Sequence, residues 1–262
     1  MGRLLPWAAA CLLAGLAACT NQVVPGPEAC NGTFVDISHE FAWQDTASSV
    51  AWDGQSFWVS NYAQGSGKRI IYRYDKHTCQ CIGSIPSPSE WTSNLCSDGA
   101  NLWLTDQPLN YLQLLEVSST DGSRVAAFAA PEVGADPAGI AFDGHFLYYA
   151  SCGYPTEECT VDKLDPNTGA VLGQIYATSN YGISGITYKD GSLFFLSRSQ
   201  PGKIVNITLD GVEVSAVDLP ATEDIGHHQV VSLANSEGEL WYVRALGDPG
   251  PPSQQGIVRF KP

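Results

Sequence analysis

Hydrophobic and polar positions alternate in short runs along most of the chain, and the same arrangement occurs five times. Each unit begins with a five-residue run that is rich in apolar or small residues: SSVAW, SNLCS, AGIAF, SGITY and VVSLA. A turn dipeptide follows each run, at spacings of 45, 45, 47 and 47 residues: Asp53-Gly54, Asp98-Gly99, Asp143-Gly144, Asp190-Gly191 and Glu237-Gly238. An apolar–aromatic pair such as Phe57-Trp58 comes next. Because Asp-Gly between two strand-like runs is typical of a type I′ turn, with positive φ at both central positions, each unit is predicted to open with a β-hairpin.

Two further strands complete the pattern of a unit. The third strand reads IIYRYD, LQLLEV, VDKLDP, IVNITL or IVRF, and in the first four units a second turn and a fourth strand such as VLGQIYA follow. Four antiparallel strands in 45 to 47 residues, repeated, are typical of a β-propeller blade. The fifth unit ends after its third strand, and residues 33–37 have strand character. We therefore predict an all-β, five-bladed β-propeller over residues 33–262, closed by an N-terminal strand that completes the last blade.

The first residues predict export and lipid anchoring. Arg3 precedes the apolar run 4–18, which is typical of a secretory signal peptide and too short to span a membrane. The run ends Leu16-Ala17-Ala18-Cys19, which resembles the bacterial lipobox, in which the cysteine carries the lipid. We expect a signal peptide at residues 1–18, lipidation at Cys19 and a tether over residues 19–32; the alternative is an ordinary signal peptide with a fortuitous cysteine. Thr20, in the place of an aspartate that retains lipoproteins in the inner membrane, favours the outer membrane or cell surface.

Composition and charge limit the classes of molecule that are expected to bind this protein. The chain is 44% hydrophobic and 10% aromatic, enough to bury a core, and beyond the N-terminus it has no apolar run of membrane-spanning length. Its net charge of −14, with no basic cluster, excludes a nucleic-acid backbone as the expected partner. The expected partners are the membrane, through the lipid on Cys19, and an envelope protein or a small-molecule ligand.

The cysteine content predicts disulfides. Besides Cys11 in the signal and Cys19, six cysteines remain in the exported chain, and an even number favours disulfide pairing. Cys152 and Cys159 bracket the Gly/Pro-containing loop GYPTEE and are predicted to pair. Cys79 and Cys81 are expected at i and i+2 of one strand, facing the same way, which disfavours a bond between them. Cys30 is a candidate partner for one of them, and the pairing of these three and Cys96 stays open.

A metal site is one hypothesis for the face that carries the long loops. The segment from Glu223 to His228 holds two carboxylates and two imidazoles within six residues, so Asp224, His227 and His228 are candidate ligands of a divalent cation. The same face also carries the dispersed acidic residues Asp45, Asp106, Glu132 and Asp136, so binding of a cation such as Ca²⁺ is a further hypothesis. The spacing matches no standard metal site, and the competing interpretation is a polar loop with one histidine packed at the rim.

Other residues of the same face are candidates for ligand contact. Trp91 and Tyr181 have the ring surface to stack on a sugar or peptide, and Arg198 is suited to bind a carboxylate. Asp106 and Glu223 contribute acidity. The alternatives are rim aromatics that shield the core, an Arg198 paired with a loop acid, and an acidic surface that is merely solvated.

Two sequence resemblances support the propeller. The unit PAGIAFDGHFLYYAS…VDKLDPNTGAVLGQI resembles blades of the NHL, SMP-30 and quinoprotein-like propeller superfamilies, which include lactonases, ligand binders and scaffolds. The segment NYGISGITYKDGSLFFLSRS resembles a blade of the five-bladed glutaminyl-peptide cyclotransferases, where a glycine–glutamate–glycine–leucine stretch precedes the inner strand. In this chain Ser184 stands at the place of that functional glutamate, and a serine does not replace a carboxylate that handles protons near neutral pH.

The sequence favours an exported, lipid-anchored propeller that binds a ligand or protein partner on its long-loop face without catalysis. One alternative is an enzyme, either cyclotransferase-like or a metal-assisted hydrolase or lactonase that uses Asp224, His227 and His228. Another is a structural subunit of an envelope complex, which an apolar patch on a blade edge would indicate.

Overall fold

Five four-stranded antiparallel sheets make up the ordered architecture of the chain. The computed structural model describes residues 34–37, 45–62, 69–89, 92–107, 112–131, 135–153, 158–178, 180–200, 202–219, 228–246 and 255–260. Within these ranges, no helix has the length and apolar character needed to cross a membrane.

The strands follow one another along the chain in groups of four. The N-terminal strand is β1 (Phe34–Asp36). The first full blade contains β2 (Thr46–Trp52), β3 (Ser56–Tyr62), β4 (Ile70–Asp75) and β5 (Cys81–Pro86). The second contains β6 (Thr92–Ser97), β7 (Asn101–Asp106), β8 (Gln113–Ser118) and β9 (Arg124–Ala129). The third contains β10 (Ala135–Phe142), β11 (Leu147–Gly153), β12 (Cys159–Leu164) and β13 (Val171–Thr178). The fourth contains β14 (Ile183–Lys189), β15 (Ser192–Ser197), β16 (Lys203–Thr208) and β17 (Glu213–Asp218). The last strands are β18 (His228–Ser236), β19 (Glu239–Leu246) and β20 (Gly256–Arg259).

Each sheet is one blade of a propeller, and its strands lie in chain order from the axis outward in blades 1 to 4. The innermost strands β2, β6, β10, β14 and β18 each adjoin the next around the ring, and β18 adjoins β2. The predicted five-bladed β-propeller is therefore confirmed.

The N-terminal strand closes the ring. Blade 5 has the strand order β1-β20-β19-β18, with Phe34 opposite Val258 and Asp36 opposite Gly256. Val35 and Ile37 are buried with Trp241 and residues of blade 1 in one hydrophobic cluster. Both ends of the described part of the chain therefore share one blade, as the truncated fifth repeat predicts, and this blade joins blade 1 to close the ring.

The hairpin turns are of two kinds, which corrects the prediction that all five are type I′. Only the last two blades have positive φ at both central residues, with φ of 49° at Asp190 and 55° at Glu237. In the first three blades the glycine alone has positive φ, for example 93° at Gly99. There the second strand begins one or two residues later after the turn glycine than in blades 4 and 5. The loop therefore has three or four residues, and its aspartate does not need a positive φ.

An aspartate side chain organises each of these three longer turns. Asp98 Oδ1 accepts hydrogen bonds from the backbone N–H groups of Ala100 (2.8 Å) and Asn101 (2.7 Å). Its Oδ2 accepts a bond from Trp103 Nε1 at 3.0 Å. Asp53 and Asp143 repeat the arrangement with the aromatic residue five positions on, Trp58 and Tyr148. The repeated aspartates therefore hold the turn and the buried ring, and have structural roles.

The turn between the two outer strands packs on the neighbouring blade. A Cβ at Gly122, Gly169 or Gly211 would collide with the outermost strand of the preceding blade, and these glycines have φ of 75°, 69° and 78°. In blade 1 the corresponding residue is Cys79, with φ of 55°, and it packs in the cluster that contains Val35. The expectation that Cys79 and Cys81 lie on one strand is wrong, because Cys79 is in this turn and β5 begins at Cys81.

Lys76 crosses the seam between blade 1 and blade 5. Its Nζ donates to Ser236 Oγ at 3.0 Å and to Glu237 Oε2 at 2.6 Å. The same atom lies 5.3 Å from the ring centroid of Trp52 and 5.7 Å from that of Trp241. One ammonium group therefore bonds to the last blade while resting on an aromatic ring of each blade.

The outermost strands expose several large aliphatic side chains. All six residues of β17 are exposed, and the exposed aliphatics on or beside the outer strands of blades 3 and 4 are Val171, Leu172, Val212, Val214 and Val217. These positions lie on the perimeter of the ring, away from the axis.

Candidate functional site

Every innermost strand has a register shift at the same height. The shifts lie between Ala47 and Ser49, Thr92 and Asn94, Pro137 and Gly139, Ile183 and Gly185, and Val230 and Ser232. Each leaves one residue without a partner across the hairpin, at positions 48, 93, 138, 184 and 231. Bulges of this kind redirect a side chain out of the regular ladder. Ser48, Ala138, Ser184 and Val231 all line a cavity at the axis.

The residue after each bulge is small in four of the five blades. These residues are Ser49, Gly139, Gly185 and Ser232, and all four are buried. A Cβ on Gly185 would lie 2.7 Å from Ser232 Cα, so the innermost strands approach too closely there for a larger side chain. Ser232 Oγ also accepts a hydrogen bond from Val50 N at 3.2 Å, which joins blade 5 to blade 1. Asn94 occupies this position in blade 2 and is the exception in size.

The cavity is a funnel of about 580 Å³ at the end of the ring where the innermost strands begin. This volume lies within the range of small-molecule sites, about 300–1,000 Å³. Blades 2 to 4 contribute polar and apolar residues to its wall: Thr92, Asn94, Gln107, Asp136, Ser184 and Arg198, with Pro137, Ala138, Cys152 and Ile183. Blades 5 and 1 contribute Thr46, Ala47, Ser48, Tyr62, Val231 and Ala245. The wall is therefore mixed, and its two charged side chains, Asp136 and Arg198, come from blades 3 and 4.

Ser184 stands on this wall, in the bulge of blade 4. It is the position that the cyclotransferase resemblance assigns to a functional glutamate. The resemblance thus points to a residue of the funnel, and in this chain that residue carries a hydroxyl group instead of a carboxylate.

Two carboxylates near the funnel are engaged in structural hydrogen bonds. Asp106 is 2% exposed and accepts bonds from Ser89 Oγ (2.6 Å) and Gln113 Nε2 (2.8 Å). Asp45 is also buried, and its Oδ2 accepts a bond from Asn61 Nδ2 at 3.0 Å. Asp136 differs, because it is exposed, lines the funnel and is contacted by Gln107 Nε2 at 3.4 Å.

The predicted ligand-face residues occupy different places. Arg198 follows β15, is exposed and lines the funnel. Asp106 ends β7 and is buried below the rim. Tyr181 packs edge-on against Phe195 with ring centroids 6.1 Å apart, and its hydroxyl is 3.3 Å from Glu213 Oε1, on the outer side of blade 4. Trp91 and Glu223 lie outside the described residues.

The predicted metal ligands remain a prediction. Asp224 and His227 lie outside the described residues, as does Cys19, and His228 is the first residue of β18. Among the residues that the structure does describe, no cluster of three or more His, Cys, Asp or Glu side chains is suited to hold a metal ion.

The predicted Cys152–Cys159 disulfide is confirmed. The two residues are direct partners across β11 and β12, and Cys152 also lines the funnel. Cys79 and Cys81 are disulfide-bonded as well, and in the described part of the chain only Cys96 is a free thiol. Cys96 lines a second cavity of about 160 Å³ at the other end of the innermost strands. Burial, together with the charge of Asp98, raises the pKa of this thiol well above its ordinary value, so the reactive thiolate is disfavoured.

Comparisons with protein-family models and with curated sequences find no match. Solved structures do match. Glutaminyl cyclase from Myxococcus xanthus is 12% identical with a TM-score of 0.56, over 82% of this chain and 91% of that one. A nidogen/laminin complex is 14% identical with a TM-score of 0.51, over 81% and 79% of the two chains. An exo-β-1,3-galactanase from Phanerochaete chrysosporium, in complex with β-1,3-galactotriose, is 13% identical with a TM-score of 0.53, over 81% and 59%.

The chain shares its fold with these proteins. At such low identity the likeness establishes architecture alone, and it confirms the resemblance to propeller proteins that the sequence indicates. A glutaminyl cyclase, a nidogen/laminin complex and a galactanase all fall within this set, so function has to be argued from the funnel.

Sequence reasoning identified Arg198 of the funnel wall, and the cyclotransferase resemblance drew attention to Ser184. It missed Asn94, which was visible only as a member of a short inner-strand run. The signal that could have identified Asn94 was its position within the repeat. Asn94 is the second residue of SNLCS, at a place where the third and fourth units have glycine.

Proposed function

We propose that this protein is an exported, lipid-anchored propeller that binds a small ligand or a segment of an envelope partner in its axial funnel, without catalysis. The observation that carries the proposal is that the exposed Arg198 shares the wall of one funnel with hydrogen-bonding side chains of other blades, among them Asn94 and Gln107. Such groups orient a polar ligand through direct hydrogen bonds.

The environment of the neighbouring carboxylates supports binding rather than acid–base chemistry. Asp106 and Asp45 each accept hydrogen bonds from buried side chains, which fixes them as parts of the scaffold. Ser184 offers a hydroxyl where the cyclotransferase resemblance expects a carboxylate, and a hydroxyl does not transfer protons near neutral pH as a carboxylate does.

The test of binding uses the lipidated chain purified in mild detergent, with native mass spectrometry to detect any species that stays bound. Ser184→Trp would fill the funnel, whereas Ser215→Trp, on the exposed strand β17, changes the same residue type on the perimeter. We expect a bound species with the wild type and with Ser215→Trp but not with Ser184→Trp. Equal retention by both variants would refute a funnel site.

The catalytic alternative has a separate readout. A stoichiometric metal ion in protein purified without chelator, lost in a His227→Ala variant, would favour the metal-assisted hydrolase and contradict the proposal. Anchoring is tested by labelling with palmitate: we expect incorporation by the wild type and none by Cys19→Ala, and equal labelling of the two would show that Cys19 is not the lipid site.

A further inference from the structure

Asn94 stands out in the ring of residues that follow the five bulges. The other four positions hold serine or glycine, in keeping with the close approach of adjacent inner strands. Asn94 is only 4% exposed, and its Nδ2 reaches the carbonyl oxygen of Pro137 in blade 3 at 3.4 Å. A larger polar side chain is therefore accommodated where the fold elsewhere has a small one.

The amide oxygen of Asn94 has no hydrogen-bond partner although it is fully buried. Leaving a buried acceptor unpaired costs about 1–3 kcal/mol, so most such groups are paired in folded proteins. Since Asn94 also lines the funnel, this unpaired acceptor belongs to a side chain at the wall of the cavity.

Arg198 offers the complementary charge on the same wall. It is exposed in the funnel, and it forms no ion pair with any carboxylate in the part of the chain that the structure describes. An arginine guanidinium presents a planar pair of N–H donors that match the two oxygens of a carboxylate. Asp136, from the blade between those of Asn94 and Arg198, adds an acceptor for a hydroxyl or ammonium group.

We propose that the ligand of the funnel is a small carboxylate that also carries hydroxyl or amino donors. Its carboxylate binds Arg198, and one of its O–H or N–H groups donates to Asn94 Oδ1. The inference rests on the proposed function, since it names the chemistry of the molecule that the funnel binds. Sugar acids and amino acids share this chemistry, and matched probes distinguish the two sources.

Isothermal titration calorimetry of the full chain with two pairs of probes tests the proposal. D-glucuronate is compared with D-glucuronamide, and L-alanine with L-alaninamide, so that each pair differs in the carboxylate alone. We expect at least one acid to bind with 1:1 stoichiometry and its amide to bind at least tenfold more weakly. Which acid binds identifies the source.

Two variants connect binding to the named residues. Arg198→Gln changes an exposed side chain, and Asn94→Leu replaces the buried amide by an apolar group of similar size; each is expected to weaken binding at least tenfold. Asn94→Leu should change the midpoint of unfolding little, because the loss of the long hydrogen bond to Pro137 O is offset by removal of an unpaired buried oxygen. The matched controls lie outside the funnel wall and should bind normally: Arg124→Gln, an exposed arginine of β9, and Asn206→Leu, whose Oδ1 is likewise buried and unpaired.

Equal affinity for an acid and its amide, or undiminished binding by Arg198→Gln, would overturn the carboxylate assignment. Failure of all four probes to bind would overturn it as well. In either case the Ser184→Trp comparison separately decides whether the funnel binds anything, so failure of this inference is distinguishable from failure of the proposed function.

Discussion

Replacing Lys76 by methionine should loosen the seam between blade 5 and blade 1. Methionine keeps most of the apolar stem of the side chain and removes the ammonium group. That group donates to Ser236 Oγ and Glu237 Oε2 and lies over the rings of Trp52 and Trp241. Only 10% of the Lys76 side chain is exposed, so these contacts are poorly screened by solvent.

The contacts set the size of the expected effect. A cation over an aromatic ring contributes about 0.5–2 kcal/mol, the upper value applying where the cation is desolvated. A hydrogen bond from a charged donor contributes about 1.5–3 kcal/mol, and desolvation of the ammonium group opposes both terms. The Glu237 carboxylate is exposed and adds little. We expect a net loss of about 2 kcal/mol, which for a chain of this size lowers the unfolding midpoint by about 4–8 °C.

Chemical denaturation and native-state hydrogen exchange measure this effect. Lys189→Met is the matched control, because Lys189 also pairs with an acid, Asp190, and lies over one ring, but all of these contacts stay within a single hairpin. We expect the control to lose no more than about 0.5 kcal/mol. In Lys76→Met, but not in the control, the amides of β1 and β20 should exchange faster. Equal and small losses in the two variants would refute the role of Lys76 at the seam.

Three further outcomes follow from the structure. Burial opposes ionisation of Asp143, but hydrogen bonds from Phe146 N and Tyr148 lower its pKa on balance, so its stabilising effect is present above about pH 4 and is lost as the pH falls further. Asp143→Asn should therefore destabilise at pH 7, and in urea titrations its difference from the wild type should shrink as the pH is lowered. Cys96 should react slowly with a thiol reagent at pH 8 in the folded chain and rapidly once the chain is unfolded, because its raised pKa disfavours the thiolate; equal rates in the two states would contradict the raised pKa. Gly185→Ala should cost more than about 2 kcal/mol in denaturant melts, and an unchanged midpoint would show that the inner strands can separate.

The sequence predicted the architecture because the repeated signals are local. An Asp-Gly or Glu-Gly dipeptide fixes a hairpin within a few residues, and five of them at near-equal spacing predict five blades. Closure of the ring by β1 could be predicted by counting strands, since the last unit has three strands instead of four. The Cys152–Cys159 bond followed from a short loop. Each of these conclusions needed only neighbours along the chain.

The site was less predictable because its residues are neighbours only across blades. The bulges that turn Ser48 and Ser184 toward the axis depend on the packing of adjacent inner strands, and no dipeptide marks them. The Asp106 carboxylate, expected on the ligand face, is engaged by Ser89 and Gln113 from adjoining parts of its own blade. Loop acidity alone does not distinguish a free carboxylate from one that is already bonded.

The turn errors have a similar cause. The prediction assumed one turn type for all five dipeptides. The length of the loop after the glycine decides whether the acidic residue must adopt a positive φ. Cys79 was placed on a strand because it alternates with Cys81, but the position belongs to a turn whose backbone has positive φ. In the other three turns a glycine supplies that conformation.

The direction of β1 determines how an anchored molecule would be oriented. Asp36 pairs with Gly256, which pairs with Arg244, next to the funnel residue Ala245, whereas Phe34 pairs with Val258, farther from the funnel. The chain therefore enters the ring at the end opposite the funnel. For a protein held at Cys19, as proposed, the attachment would join the domain on the side away from the funnel, and the mouth of the funnel would be left free for a ligand.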